Sequence, residues 1–402
     1  MMKDLITEPL VSIVMVNWNY QQFVTQAIDS VKHQTYTRWE CVVVDNGSSD
    51  QSIEVIARAI EGDNRFRLLR LENNIGHFAG AMAALKHITG CLVAFLDADD
   101  YYFPQFLSSH VQVHISAIKP TAFTSSNTVM VDSDNTLISG GLQQFDAKDE
   151  RFRKNLPKHP LLLASGVTPE YYDRLRNGTY FGGEDLGYWY WQHGSSNVLR
   201  RELLDILKPT TEGEIPFGGV DTYFLIPLSA ITGATVMDVS LSAYRLHETN
   251  DWGRMPLFNG ILAGNLDAYA RNKLLKRLLI TTLIEKAEIL SATINPSYRY
   301  FRFLEIVFHH SGETVLLGRE SPFSSDPIID TLSKKMPFFV ETFGMGSVFQ
   351  EFRKMMPHET LCRVISRTYE GRKRWRVLFS VWKKEYISRL KAAGRRILFF
   401  RR

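Results

Sequence analysis

The stretch that decides the fold is Leu92-Val93-Ala94-Phe95-Leu96-Asp97-Ala98-Asp99-Asp100. Its apolar first part is long enough for one buried strand, and three carboxylates follow within four residues. Acidic side chains at the carboxyl end of a strand stand where open α/β sheets bind their ligands. They repel one another unless solvent or a cation relieves the charge, and a divalent cation held with a diphosphate would do so. The alternative interpretation of the same residues is a solvated acidic turn that caps the next helix.

The residues before this stretch alternate between strand-like and helix-like patterns. Strands are predicted at 11–16, 41–44, 66–71 and 92–96, and helices at 23–33, 53–60 and 78–88. Strands that alternate with helices predict βαβ units and hence a mostly parallel sheet. Because parallel strands end at the same edge, Asn17, Asp45 and Asp97 are expected to lie along one rim of that sheet.

Residues 11–100 resemble the nucleotide-binding half of the family-2 glycosyltransferases, which have the GT-A fold. The matching pieces, in the order of the family, are 11–14, 30–36, 40–50, 74–76 and 97–100. The family's usual proline near the end of the first strand is replaced by Asn17-Trp18-Asn19, which leaves the contact to the nucleobase open. The resemblance implies an α/β fold with a Rossmann-like mixed sheet and an enzyme that uses a nucleotide-diphosphate sugar.

The resemblance also implies which residues bind the donor and a divalent metal, Mg²⁺ or Mn²⁺. The implied nucleotide-sugar-binding residues are Asn17, Asn19, Asp45, Asn74, Gly76, Asp97 and Ala98, and the implied metal ligands are Asp99, Asp97 and His247. Two of these positions have a plainer alternative, and the role of the neighbouring Asp100 is open. Asp45 could cap a helix at Ser48, Asp100 could be a second ligand or only a cap, and Gly76 could be a turn glycine.

Sugar transfer to a hydroxyl also needs a base, because the acceptor loses its proton as it attacks. The resemblance gives this role to Asp221, which follows Pro216-Phe217-Gly218-Gly219; an N-cap of the next helix is the alternative. It places Ser195, Ser196 and Arg200 on the acceptor side. The pair Glu184-Asp185 has the family's letters but lies before the Ser195 loop, in the wrong order.

Tyr244-Arg245-Leu246-His247 resembles the end of the family's catalytic domain. The resemblance implies that His247 touches the diphosphate or completes the metal shell, with an ordinary structural histidine as the alternative. Arg245 could neutralise phosphate or brace its strand. The other histidines show no metal-ligand spacing.

The two parts of the chain differ in charge. Residues 1–250 hold 20 Lys or Arg against 29 Asp or Glu, whereas residues 251–402 hold 27 against 14. This asymmetry predicts a catalytic domain over 1–250 and a helical, basic region over 251–402. Residues 372–402 contain twelve basic residues interleaved with Trp, Phe, Leu and Ile, a pattern that favours an anionic membrane surface. A disordered tail or a buried helix are the alternatives.

Other features limit the compartment and the partners. The sequence has no apolar run of about 20 residues, so no membrane-spanning helix is expected, and residues 1–10 lack the apolar core of a signal peptide. Cys41, Cys91 and Cys362 form no disulfide or metal pattern, and the first two are expected in buried strands. We therefore expect a cytoplasmic protein, peripheral at the inner face of the plasma membrane. No nucleic-acid-binding motif is present.

The function expected from the sequence is inverting transfer of a sugar to a hydroxyl of a growing or lipid-linked glycan. The main alternative is a non-catalytic scaffold that keeps the fold and binds a nucleotide or a partner enzyme, but the intact acidic cluster argues against it. A nucleotidyltransferase would carry a Gly-rich basic loop after the first strand, and residues 17–22 contain neither Gly nor Lys.

Overall fold

The protein is described from a computed structural model. The structure describes residues 8–117, 119–140, 169–182, 191–210, 215–250, 266–294, 298–311, 326–374 and 376–378. The chain divides into two compact units, Met1–Leu278 and Leu279–Arg402. The sequence placed the boundary at 250, where the charge changes. The division lies further along, inside a helix.

The described strands of the first unit belong to one sheet. They are β1 Val11–Asn17, β2 Trp39–Asn46, β3 Phe66–Leu71, β4 Leu92–Asp97, β5 Tyr101–Tyr102, β6 Phe123–Val131, β7 Leu137–Ser139, β8 Thr179–Gly182, β9 Asn197–Arg200 and β10 Ala234–Arg245. The four strands predicted before the acidic turn are all present, with ends shifted by at most two residues. The acidic residues follow the end of β4, as predicted.

The helices that connect these strands also follow the predicted alternation. They are α1 Val24–Lys32, α2 Ser52–Ile60, α3 His77–Ala84, α4 Phe106–Ser116, α5 Pro169–Gly178, α6 Arg201–Leu207 and α7 Val220–Thr232, and a further helix, α8 Leu266–Glu285, comes after the last strand. Short 3₁₀ turns lie at Leu85–His87 and Gly194–Ser196. The predicted helix over 78–88 is therefore α3 with a 3₁₀ end.

The sheet has the order β3-β2-β1-β4-β9-β6-β10-β5. Strands β3, β2, β1 and β4 are parallel to one another, and β10 is parallel to β6. Strand β9 runs antiparallel to both β4 and β6. The Rossmann-like mixed sheet of the GT-A fold is thus confirmed. Strand β9 lies between the Ser195 loop and α6.

Helices cover β1, β2 and β4 on both faces, which explains why these strands are mostly apolar and buried. At the edge of the sheet, β3 has the exposed Arg67 and Arg70. On one face, Ile13 and Met15 of β1 pack in a buried cluster with Ala27 and Ile28 of α1. On the other face, an aromatic group joins α3, β4 and α7, with Phe95 and Phe224 stacked at 6.4 Å and Phe78 and Phe224 at 5.7 Å. Because the strands are packed on both faces, the side chains at their carboxyl ends start from a rigid backbone.

The second unit is helical over its described residues. The end of α8 is followed by α9 Ala287–Thr293, α10 Tyr298–Ser311, α11 Pro327–Phe343, α12 Met345–Met355 and α13 His358–Thr368. Aromatic rings fill its core, as where Phe301 meets Phe352 at 5.7 Å and Phe339 meets Phe352 at 5.2 Å. The predicted helical C-terminal region is confirmed. Most of the basic segment 372–402 lies outside the described residues.

None of the described helices combines the length and the apolar character that a membrane span requires. Cys41 is buried in β2 as expected, but Cys91 is exposed. The expectation for Cys91 is wrong because the strand begins one residue after it, at Leu92.

Candidate active site

The three acidic side chains that follow β4 form one cluster. Each of Asp97, Asp99 and Asp100 offers a carboxylate oxygen, and these oxygens lie within 4.8 Å of one another. The backbone closes a turn between them, since the N–H of Asp100 donates to the carbonyl of Asp97 at 3.0 Å. The turn therefore brings three negative charges together at the mouth of the parallel strands.

Asp100 is the anchored member of the cluster and is almost fully buried. Its Oδ2 accepts hydrogen bonds from the Ser195 hydroxyl at 2.7 Å and from His193 Nε2 at 3.1 Å. Its Oδ1 accepts the backbone N–H of Arg245 at 2.9 Å. The next helix begins only at Phe106, so Asp100 is not a helix cap. Its carboxylate ties the acidic turn to β10 and to the Gly194–Ser196 turn.

Asp99 is paired with a histidine from beyond β10. The Nε2 of His247 lies 2.9 Å from Asp99 Oδ2, and the ring of His247 packs against Phe23 at 5.0 Å and Tyr20 at 5.3 Å. Burial, together with the charges of the other two carboxylates, raises the pKa of Asp99 to about 6, although the hydrogen bond from His247 acts in the opposite direction. A carboxylate held in this state gains from a nearby cation.

Asp97 is paired with the first residue of α3. The Nε2 of His77 lies 2.8 Å from Asp97 Oδ1, and both side chains are about one-third exposed. The pKa of Asp97 is lowered: burial alone would raise it, but the His77 ring, His193 and the Ser195 hydroxyl together outweigh that effect. Asp97 therefore remains ionised and open to solvent at the rim of the cluster.

Asp221 faces this cluster from the first turn of α7. Burial raises the pKa of its carboxyl, and the charge of Asp97 adds to that effect, whereas the Thr222 N–H, His193 and His77 oppose it.

A Cβ atom placed on Gly194 would lie 3.9 Å from Asp97 Oδ2 and 3.5 Å from Val220. Gly194 thus occupies the narrow space between the acidic turn and the start of α7.

The loops after β1 and β2 are joined by their polar side chains. Asn17, which is fully buried, donates from Nδ2 to Asp45 Oδ1 at 3.2 Å and to Ser48 Oγ at 3.1 Å. Asp45 Oδ2 accepts the N–H of Ser48 at 3.1 Å, so Asp45 closes a turn well before α2. Asn19, with a φ of 59°, accepts the N–H of Ser49 at 2.7 Å. These residues meet at one edge, as predicted.

The loop before α3 is held by amide side chains. Asn74 Oδ1 accepts Asn46 Nδ2 at 2.9 Å and the N–H of Gly76 at 2.9 Å. Gly76 has a φ of 91°, and a Cβ there would lie 2.6 Å from the Phe217 ring. The N–H of Phe78 then donates to the Gly218 carbonyl at 3.0 Å. The loop predicted to meet the nucleotide is therefore packed against the segment that leads to Asp221.

Several residues assigned from the sequence have other surroundings in the structure. Ser195 and Ser196 are fully buried and bond inward, the latter to Ser242 Oγ at 2.8 Å, so they do not present their hydroxyls to an acceptor. Ala98 is also buried, in the core cluster with α1. Arg200 pairs with Leu92 at the opposite end of β4 from the acidic turn and donates to the Thr121 carbonyl at 2.9 Å. These residues were assigned from their positions in the sequence alone. For Arg200, the sequence does not show that β9 runs antiparallel to β4.

Two histidines of the site were missed by the sequence analysis. His77 follows the Asn74–Gly76 loop directly, and His193 directly precedes the Gly194–Ser196 turn. Their positions next to two assigned segments were the available signal, but neither has a metal-ligand spacing along the chain. Glu184 and Asp185, weighed against Asp221, lie outside the described residues.

The donor set fits a hard divalent cation. Asp97 and Asp99 each have one histidine partner and carboxylate oxygens grouped with those of Asp100, and oxygen ligands of this kind suit Mg²⁺ and Mn²⁺. Burial and the neighbouring carboxylates raise the pKa of Asp99, and a bound cation would offset both effects.

Comparison with known proteins gives the family. Residues 12–154 match the sequence profile described as Glycosyl transferase family 2. An uncharacterised glycosyltransferase of Nostoc sp. is 33% identical over 244 residues, 60% of this chain and 66% of the relative. The UDP-Glc:alpha-D-GlcNAc-diphosphoundecaprenol beta-1,3-glucosyltransferase of Escherichia coli is 35% identical over 104 residues, 26% of this chain and 40% of the relative.

The chain spans 37% to 66% of the length of these and the other first-ranked curated relatives. Among solved structures, S. aureus TarS 1–349 in complex with UDP-GlcNAc aligns with a TM-score of 0.45 and 17% identity, over 93% of this chain and 92% of that one. The family named by the profile and by these relatives is the one that the acidic turn and the mixed sheet led us to expect. The chain is a member of glycosyltransferase family 2.

Proposed function

We propose that this protein transfers a sugar from a nucleotide-diphosphate sugar to a hydroxyl of a growing or lipid-linked glycan. One observation carries the proposal: the acidic turn with Asp97 and Asp99 and the first turn of α7 with Asp221 meet across Gly194, where an added Cβ atom would lie 3.9 Å from Asp97 Oδ2 and 3.5 Å from Val220. The reaction needs a place for the departing diphosphate and a base for the acceptor hydroxyl, and this arrangement supplies both within one site.

The donor nucleotide lies, in this proposal, along the loops after β1, β2 and β3. The nucleoside contacts Asn17, Asn19 and Asp45, whose side chains already form one hydrogen-bonded group. Asn74 and Gly76 shape the adjoining loop so that its backbone approaches the nucleotide. Support comes from the strand ends, because ligands of open α/β sheets bind at the carboxyl edge.

Asp97 and Asp99 would hold the Mg²⁺ or Mn²⁺ ion, with His247 orienting Asp99 through its hydrogen bond. When bound, the ion would act as a Lewis acid on the diphosphate that leaves. Asp100 keeps both of its oxygens occupied by Ser195, His193 and Arg245, so its part is to fix the turn.

Asp221 is the proposed general base. Its raised pKa makes it a better proton acceptor than an exposed aspartate, since base strength follows the pKa. A base that takes the proton of the attacking hydroxyl, opposite the departing diphosphate, gives a single displacement with inversion. The acceptor would reach Asp221 past Phe217, which is 43% exposed.

The acceptor and the location remain parts of the proposal. The relative from Escherichia coli is named for a diphosphoundecaprenol-linked acceptor, which supports a lipid-linked glycan as the acceptor. The proposed location is the inner face of the membrane. Arg372, Lys373 and Arg376 are exposed and begin the basic segment 372–402, which would contact anionic lipid.

The test is a thermal-shift screen of nucleotide sugars with and without Mn²⁺, followed by transfer assays with the donor that stabilises the protein. We expect stabilisation by one donor class that requires the metal and disappears in Asp99→Asn. Transfer by Asp99→Asn should fall by at least about a hundredfold, given the several kcal/mol that metal electrostatics supply. Near-normal transfer by Asp99→Asn in EDTA would show that the metal-dependent mechanism is wrong.

A further inference from the structure

Arg245, the last residue of β10, is 1% exposed. Its Nε donates to the carbonyl of Asp99 at 2.8 Å, and its terminal nitrogens donate to the Asp132 and Ser133 carbonyls at 3.3 and 3.2 Å and to Gln26 Oε1 at 2.7 Å. Within the described part of the chain, these hydrogen bonds all go to uncharged oxygens. The guanidinium is therefore turned into the protein and away from any phosphate at the rim.

Two aromatic faces enclose this cation. The guanidinium carbon lies 4.7 Å from the centre of the Phe23 ring and 5.5 Å from that of Tyr101. A buried cation is costly unless hydrogen bonds and neighbouring charges compensate it. The hydrogen bonds of the Arg245 guanidinium reach three separate segments, namely α1, the turn after β6 and the acidic turn. A surface ion pair would join only two side chains.

The same residue holds the acidic turn at two points. The Arg245 side chain binds the Asp99 carbonyl, and its backbone N–H binds Asp100 Oδ1. Two residues on, His247 binds the Asp99 carboxylate and packs on the same Phe23 ring. The end of β10 thus fixes both the backbone and the side chains of the turn against α1.

We propose that Arg245 is a positioning residue that holds the acidic turn in its metal-binding geometry before any ion or donor arrives. Its Nε–H holds the Asp99 carbonyl, and its terminal nitrogens tie that point to Gln26 of α1 and to the turn after β6. The inference rests on the proposed metal site of this enzyme. It predicts that a lysine, which keeps the charge but not the planar fork, cannot replace Arg245.

The experiment measures Mn²⁺ binding by the metal-free protein, from the electron paramagnetic resonance signal of free Mn²⁺. Arg245→Lys should weaken Mn²⁺ binding by about tenfold or more, the usual effect of losing a residue that orients metal ligands. Gln26→Ala removes one acceptor of the fork without changing the arginine or the carboxylates, and should cause a smaller loss in the same direction. Melting temperatures recorded in parallel separate a loss of folding from a loss of metal affinity.

Arg65→Lys is the matched control. Arg65 also stacks on an aromatic ring, with its guanidinium carbon 3.7 Å from the centre of Trp39, and bonds Asp63 at 2.9 and 2.6 Å, but it lies before β3, at the other end of the strands. Its substitution should leave Mn²⁺ affinity unchanged.

The outcomes separate the two proposals. Wild-type Mn²⁺ affinity in Arg245→Lys, together with loss of binding in Asp99→Asn, would overturn the role of Arg245 and leave the metal site in place. Undiminished binding in Asp99→Asn would overturn the metal site itself. If Arg245→Lys does not fold, Gln26→Ala decides: an affinity equal to that of wild type would overturn the proposal.

Discussion

The Ser195 hydroxyl donates to Asp100 Oδ2 at 2.7 Å while its oxygen accepts the backbone N–H of Asp97 at 3.1 Å. One fully buried side chain therefore bonds both ends of the acidic turn, although it comes 95 residues after Asp100 in the chain, in the turn before β9. Ser195 was assigned to the acceptor from its place in the sequence. Its contacts make it part of the support for the acidic turn.

Ser195→Ala should reduce both stability and donor binding. The change leaves the Asp97 N–H and one bond of Asp100 unsatisfied in a buried place, which costs about 1–3 kcal/mol of the free energy of unfolding. Urea unfolding and donor titration of the variant measure the two effects. Ser108→Ala is the control: this hydroxyl of α4 bonds Thr35 and the Gln105 carbonyl at exposed sites, so its loss should cost less stability and leave donor binding unchanged. Unaltered donor affinity in Ser195→Ala would contradict the role given to this hydroxyl.

Asp221→Asn should abolish transfer to a hydroxyl and leave donor binding nearly unchanged. The amide keeps the shape of the side chain but cannot accept the proton, and the base acts only on the acceptor. Transfer rates and donor affinity, measured on the same preparation, test this separation. Glu184→Gln and Asp185→Asn should have mild effects. An inactive Asp185→Asn beside an active Asp221→Asn would show that the base was assigned to the wrong carboxylate.

Acid should destabilise the protein through two buried histidines of α4. Burial lowers the pKa of His114 to about 3 and that of His110 well below its usual range, so both are neutral in the folded state. The unfolded chain protonates them below about pH 6.5. Their contribution is complete above that pH and is lost as the pH falls towards 3, by about 1.4 kcal/mol per pH unit for each histidine.

His114→Gln should therefore show a shallower loss of stability between pH 6 and pH 4.5 than the wild type. Glutamine can still donate to the Val198 carbonyl, which His114 Nε2 contacts at 3.0 Å. The free energy of unfolding in urea at several pH values gives the slopes. His33→Gln, at an exposed position, should keep the wild-type slope, and equal slopes for all three proteins would exclude this explanation.

The basic segment 372–402 should bind anionic membranes. Each basic residue near such a surface contributes about 1 kcal/mol, which salt screens, and apolar rings add a part that salt does not affect. The full chain should sediment with anionic vesicles, poorly with neutral ones, and be partly released by salt. A version that ends at Gly371 should lose this binding. Equal sedimentation of both forms would show that the segment does not bind the membrane, and its role would then be structural or partner-binding.

The strand ends and the acidic turn could be predicted because they depend on local pattern. The apolar run before Asp97 is continuous because both faces of β4 are buried, and turn residues mark where each strand ends. The partners of the carboxylates could not be predicted in this way. His77 and His193 reach Asp97 and Asp100 only through the order of strands in the sheet, and Arg200 was misplaced because β9 runs antiparallel.

The anchoring of the acidic turn limits how this enzyme can be divided. Residues 12–154 contain the recognisable signature of the family, but Ser195, Arg245 and His247, which hold the turn in place, all come later in the chain. A fragment ending at 154 would keep the signature and lose the groups that organise it. A working chimera between two such enzymes would have to exchange the turn together with the segment from His193 to His247. The part of the chain that must stay together is therefore longer than the motif that identifies the family.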